Sequence, residues 1–287
     1  MVDEVLAALE RRPARAQLVL LSDFDGTLTA FTVDPSKSRL RDETRQALEA
    51  LSFRDDVTVG LVSGRRVDDL KHCTALPPQI YLAGLHGLEI QRDGQAWHHP
   101  DLVESRDLID TVVAQMDAAV GHVDGVRLEH KGVALTVHVR GVAPPSKQAV
   151  LEEADLVAQP WLESGALRAM DAKEAFELLP NIPWNKGDAV QWIVEDIESR
   201  VGRPTWCVFF GDDVTDEDAF EATGTDLSVV VGRRPSAAQL RLDSPADVAA
   251  VLTGVNPPHR ARVRGESSGN PPRAQVRDGG PGSGGGR

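Results

Sequence analysis

Residues 17–29 read QLVLLSDFDGTLT, and this stretch decides the fold. An unbroken apolar run of strand length fits a strand covered on both faces, as in a parallel sheet wrapped by helices. In such sheets ligands bind just beyond the carboxyl ends of the strands. Asp23 and Asp25 are therefore expected at the rim of a crevice. Gly26 permits the turn that aims both carboxylates at one site. One acid can then attack an electrophile while the other, protonated part of the time, serves the leaving group. A bare Asp-x-Asp reads equally well as an Asx turn; the strand before it and the full heptad Asp23 to Thr29 favour a site.

The same alternation continues outward. Apolar runs at Val57–Val62 and Leu227–Val231, with another over 206–210, predict further strands. Helices are predicted over 41–51, 66–71, 187–197 and 215–221, and Ser244-Pro245 caps one running to about Leu252. The pattern predicts an α/β class with a doubly wound parallel sheet. Between about 100 and 180 it changes: helices over 103–120 and 146–157, strands over 125–130 and 133–140 around Lys131-Gly132, and short strands over 167–170 and 175–178. That is a small α+β domain inserted into the larger one. The expected organisation is a core of 1–99 and 181–254, an insert of 100–180, and a Gly/Pro/Arg-rich disordered tail of 255–287.

Three more segments carry chemistry. Ser63-Gly64-Arg65 follows the second strand, where a hydroxyl and backbone N–H groups can hold an anion; alone it also reads as a helix cap. Lys186 opens a helix and by itself reads as a solvated charge. Gly211-Asp212-Asp213-Val214-Thr215-Asp216-Glu217-Asp218 crowds five acids after a strand, which calls for a neutralising cation or base. Oxygen-only donors favour a hard cation such as Mg²⁺.

Composition sets the limits. The 287 residues carry 44 acids against 31 Lys and Arg, a net charge of −13. Six arginines against two acids after Gly254 make the tail +4 and leave −17 for the body. No basic face for nucleic acid is expected. Cys73 and Cys207 are too few for a disulfide framework and lack zinc-site spacing, so a reducing, cytoplasmic compartment is expected. Residues 1–17 are amphipathic with no apolar run of signal or membrane length, so neither export nor a membrane is expected, and a monomer is compatible with the sequence.

Taken together, the four segments resemble the ordered motifs of the haloacid dehalogenase superfamily of phosphatases over about Leu18 to Leu252. The resemblance implies that Asp23 is the nucleophile and Asp25 the general acid and base. It implies that Mg²⁺ is held by Asp23, Asp25 through its carbonyl, and Asp212, and that Ser63, Gly64 and Lys186 bind phosphate. Thr27, Arg65, Asp213 and Asp216 would play supporting roles. The insert lies between the second and third motifs, where sugar-phosphate members carry a C2-type α/β cap.

Within it, Glu129-His130-Lys131-Gly132, Arg140 and Phe176-Glu177-Leu178-Leu179-Pro180 resemble trehalose-6-phosphate phosphatases, as do Gly84-Leu85-His86-Gly87-Leu88-Glu89 and GDDVTDEDAF. That implies a small-molecule sugar phosphate as substrate, with Glu129, Lys131, Arg140 and Glu177 on its hydroxyls. Read without the family, these four are cross-strand ion pairs of a hairpin. Leu179 departs from the family, which often has Arg there. A phosphatase for a related disaccharide phosphate such as sucrose phosphate, a phosphosugar mutase and an inactive sugar-phosphate sensor are the competing readings.

Overall fold

The computed structural model describes residues 1–32, 37–102, 105–172, 174–222 and 224–255. The tail expected to be disordered lies, apart from Val255, outside the described residues, as do positions 103 and 104 of the helix expected over 103–120. The described residues form one compact unit.

In chain order the elements are α1 (Val2–Leu9), β1 (Gln17–Ser22), α2 (Asp42–Ser52), β2 (Val57–Val62), α3 (Val67–Thr74), β3 (Tyr81–Gly84), β4 (Glu89–Arg92) and β5 (Gln95–His98). Then come α4 (Arg106–Val120), β6 (Arg127–His130), β7 (Leu135–His138), α5 (Pro144–Glu163), β8 (Leu167–Ala172) and β9 (Ala175–Pro180). The chain closes with α6 (Lys186–Val201), β10 (Thr205–Gly211), α7 (Glu217–Glu221), β11 (Leu227–Val231), β12 (Leu240–Leu242) and α8 (Pro245–Val255).

Eight strands form one sheet in the order β12-β11-β10-β1-β2-β3-β4-β5. It is parallel from β12 to β3, and β4 and β5 extend it antiparallel. Leu18 and Leu20 of β1 pack on one face with Val5, Leu48, Leu51, Leu70 and Val251 of α1, α2, α3 and α8. Val19 and Leu21 pack on the other with Ala189, Val190 and Ile193 of α6 and Phe220 of α7. With both faces covered, every side chain of β1 is buried, which is why the strand reads as a continuous apolar run. Ser22 pairs with Leu61 of β2 and Phe210 of β10. The segments after β1, β2 and β10 therefore leave the sheet at one edge.

The second sheet is antiparallel, in the order β6-β7-β9-β8. Leu135, Val137 and Leu178 pack under Ile109, Val112 and Met116 of α4 and Val150 and Ala154 of α5. Side chains alternate along a strand, so Glu129, Thr136 and Glu177, which are register neighbours across β6, β7 and β9, share the opposite face.

Several expectations are corrected. Residues 214–216 form a 3₁₀ turn and only Glu217–Glu221 is α-helical, because Asp216 reaches back to the backbone N–H groups of Asp212 and Asp213 and tightens the turn. The turn expected at Lys131-Gly132 is shifted one residue along: Lys131 N–H donates to the Ala134 carbonyl, which leaves Gly132-Val133 at the tip, and β7 begins at Leu135. Helix α5 runs past Pro160 to Glu163, held by the packing of Val157, Trp161 and Leu162 on the core of the second sheet. β3, β4, β5 and β12 were not marked by the sequence.

Candidate active site

Lys186, 3 % exposed, lies at the centre of the edge where β1 and β10 end. Its Nζ donates to Asp23 Oδ1 at 2.8 Å and to Asp216 Oδ1 at 2.6 Å. Burial alone would lower the ammonium, but Asp216 and Asp23 outweigh it and hold Lys186 above its ordinary value. Helix α6 aims this side chain. Asn185 accepts from the N–H groups of Gly187 and Asp188 at 2.8 and 3.1 Å, and Asp188 accepts from Asn185 N–H at 2.8 Å, a reciprocal capping box that fixes Lys186 in the first turn.

Asp23 is 5 % exposed, and burial pushes its carboxyl well above the usual range against the pull of Lys186. Asp212 is pushed up to about 7, by burial first and then by the Asp216 carboxylate; Thr27 Oγ1 donates to it at 3.1 Å. Gly26, at φ +88°, lets the two strand ends meet, since a Cβ there would stand 2.0 Å from Asp212 Oδ2. Carboxylate oxygens of Asp23, Asp212 and Asp216 lie within 4.8 Å of one another. Asp216 is fully buried and already engaged through both oxygens, by Lys186 on one and two backbone N–H groups on the other. Asp213 caps its own turn through Val214 N–H at 2.6 Å.

Asp25 faces Arg65, whose Nε and Nη2 donate to its two oxygens at 2.5 and 2.7 Å, with Ser38 Oγ adding a contact at 3.2 Å. Ser63 is buried, and its Oγ accepts from Arg65 N–H at 3.3 Å.

A cavity of about 420 Å³ opens between the two sheets. Asp23, Asp25, Ser63, Gly64, Arg65, Lys186 and Asp213 line it from the first sheet, and Glu129, Lys131, Arg140 and Glu177 from the second. Across it Lys131 Nζ binds Glu177 Oε1 at 2.6 Å and reaches the Gly64 carbonyl at 3.4 Å, while Thr136 Oγ1 donates to Glu177 at 3.2 Å. Burial would raise Glu177; the Lys131 ammonium outweighs it and holds the carboxyl well below the usual range. Glu129 takes His138 Nε2 at 2.7 Å. Arg140 binds Glu174 and the Thr32 carbonyl, both at 3.1 Å, and sits over the Phe31 ring. The four are thus ion-paired and also face the cavity. Leu179 is fully buried among Leu85, Leu88, Val133 and Ile182, so an apolar contact stands where an Arg was noted as usual.

Two residues of the site carry no role in the sequence motifs: His86, and Arg234, which donates to the carbonyls of Asp212 and Asp213 at 2.7 and 2.5 Å and pins the acidic loop. His86 could have been noticed from its place in a glycine-flanked turn; no signal marked Arg234.

The trehalose-phosphatase family model matches residues 21–246. Trehalose-phosphate phosphatase of Mycobacterium marinum is 32 % identical over 234 residues, 79 % of this chain and 58 % of the relative. That of Mycobacterium tuberculosis is 33 % identical over 240 residues, 81 % and 60 %. The chain thus spans about three-fifths of the length of these mycobacterial relatives. Trehalose 6-phosphate phosphatase RA3 of Zea mays is 29 % identical, covering 82 % and 69 %. Among solved structures, the C-terminal domain of the C. albicans trehalose-6-phosphate phosphatase superposes with a TM-score of 0.73 at 22 % identity, covering 88 % of this chain and 95 % of that one.

Proposed function

Because the chain belongs to the trehalose-phosphatase family, with its haloacid-dehalogenase-like fold, we propose that it hydrolyses trehalose 6-phosphate to trehalose and inorganic phosphate. The observation that carries this reading is one cavity with two different ends. The Asp23–Lys186 pair and the Ser63 loop suit a phosphoryl group, and the polar face of Glu129, Lys131 and Glu177 suits a sugar rich in hydroxyls. Charged groups bind hydroxyls more strongly than neutral ones do.

In the proposed reaction Asp23 attacks phosphorus, forming a bond from its carboxylate oxygen while the bond to the sugar oxygen breaks. Asp25 gives its proton to that oxygen, then takes one from the water that attacks phosphorus and releases phosphate from Asp23. Arg65 and Ser38 hold both Asp25 oxygens, so proton delivery requires one of these contacts to be exchanged for the leaving-group oxygen. Lys186 offsets the repulsion between Asp23 and the approaching phosphate, and Ser63 with the Gly64 backbone orients the phosphoryl oxygens.

The residues fit a hard cation. Asp212 and Asp23 are both pushed up by burial among carboxylates, their donor atoms are oxygens only, and Asp216 is already engaged. Asp23, Asp212 and the Asp25 carbonyl would hold Mg²⁺, which when bound offsets charge on the transferring group. The second sheet serves as a cap that excludes water and reads the leaving group. Two buried free thiols suit a reducing cytoplasm.

The test is phosphate release from a panel of sugar phosphates with and without a chelator. Trehalose 6-phosphate is expected to give the highest kcat/KM, with activity lost to chelator and restored by Mg²⁺. Parity with glucose 6-phosphate or sucrose 6-phosphate overturns the substrate assignment, and isomer interconversion without phosphate release points to a mutase.

A further inference from the structure

His86 occupies a strained position that the proposed reaction does not yet use. It stands at φ +58° directly after Leu85 at φ +51°, two consecutive non-glycine residues in the left-handed region. Such conformations persist where the surroundings enforce them, and they cluster at functional sites. Here the enforcement is visible. His86 N–H donates to the Ser63 carbonyl at 2.9 Å and Leu85 N–H to the Arg65 carbonyl at 2.8 Å, zipping this turn onto the Ser63-Gly64-Arg65 loop. The imidazole lies against Gly64, where an added Cβ would stand 2.9 Å from Nε2.

His86 is 8 % exposed and lines the cavity, yet among the described residues its buried Nε2 has no hydrogen-bond partner. The nearest carboxylate, Glu177 Oε2 on the second sheet, is 3.8 Å away, beyond hydrogen-bond reach. Buried polar atoms are nearly always satisfied, and an exception at a cavity wall marks a place for a ligand atom. Burial holds the imidazole below its ordinary value, which favours the neutral ring with its one donor and one acceptor.

The neighbour decides what that ligand atom is. A phosphoryl oxygen, anionic and accepting only, would be repelled by the Glu177 carboxylate. A hydroxyl placed between the two can donate to Glu177 and accept from the imidazole. Resting on the proposed function, we infer that His86 is a further specificity-determining residue, its Nε2 binding a hydroxyl of the sugar leaving group at the seam between the phosphoryl site and the Lys131–Glu177 pair.

The experiment compares His86→Asn and His86→Gln. Asn suits left-handed backbone better than His does but carries its amide only as far as the Nδ1 position; Gln reaches the Nε2 position. With trehalose 6-phosphate, kcat/KM is expected to fall by about tenfold in His86→Asn, the scale of one hydrogen bond, and to recover to within about threefold of the parent in His86→Gln. With p-nitrophenyl phosphate, which has no sugar hydroxyl, both variants should stay within about twofold of the parent. A purely structural role predicts the reverse ranking, with Asn the better tolerated. Equal losses on both substrates, or an unchanged ratio between them in His86→Asn, overturn the inference. If the unmodified enzyme does not prefer trehalose 6-phosphate, the functional reading falls instead, and the same comparison on the best sugar phosphate of the panel still decides the role of His86.

Discussion

Glu177 is nearly sealed from solvent, and burial by itself would raise its carboxyl; the Lys131 ammonium 2.6 Å away reverses that sign. A carboxyl held below its ordinary value contributes stability that is present above that ordinary value and is lost only as pH falls through the depressed one. Removing the ammonium inverts the case. In Lys131→Met the buried carboxyl is raised, so its stability contribution is present at low pH and lost as pH rises through the raised value. The melting temperature of Lys131→Met should therefore lie further below the parent at about pH 8 than at about pH 5, with a loss on the order of 3 kcal/mol at the higher pH, since one charge of a buried pair is stranded. The double variant Lys131→Met/Glu177→Gln, which removes both charges, should regain most of it. Thermal unfolding at the two pH values decides; a deficit independent of pH means Lys131 acts through packing alone.

At the scale of elements, α6 shows how a helix terminus becomes part of a site. Lys186 sits in its first turn, and its aim depends on the capping box formed by Asn185 and Asp188. Asn185→Ala should cost about 1 kcal/mol, the usual worth of an N-cap, or about 2–4 °C in a chain of this size. Its kcat should fall by more than tenfold, because a small displacement of a positioned group is amplified in rate. Unchanged kcat at a lowered Tm would separate the cap from the chemistry.

The elements also show what the sequence could carry. The bounds of β1, β2 and β11 coincide with their apolar runs because helices cover both faces. β3 is buried but has four residues, β12 has three, and β4 and β5 (EIQR, QAWH) are polar on their open side, so none offers enough periodicity to read. Motifs at strand ends were legible because parallel topology brings those ends together. The pairing of Lys131 with Glu177 was not, since it depends on the β7–β9 register that sets Thr136 beside Glu177. The reach of Arg234 leaves no mark in residue spacing.

Charge is the property of the whole molecule that the site must work against. The chain carries −13 overall and −17 before the tail, and under the proposed function a phosphate monoester dianion has to approach it. A cavity wall with a surplus of cations would overcome this by local attraction, yet here the lining is nearly balanced: Arg65, Arg127, Lys131, Arg140 and Lys186 face Asp23, Asp25, Asp69, Glu129, Glu177 and Asp213. Several of these cations are already engaged by carboxylates at 2.5–3.1 Å, so little positive field is left to reach outward. The long-range field felt by substrate is therefore that of the acidic body. The Debye length shortens from about 30 Å at 0.01 M ionic strength to about 8 Å at 0.15 M, which screens this repulsion while leaving contacts inside the cavity nearly untouched. With free Mg²⁺ held constant, kcat/KM for a sugar phosphate should thus rise with added salt, by about two- to threefold over that range, while kcat stays level. A fall with salt would mean that the cations lining the cavity, together with any bound metal, dominate the field at its mouth and steer the dianion in.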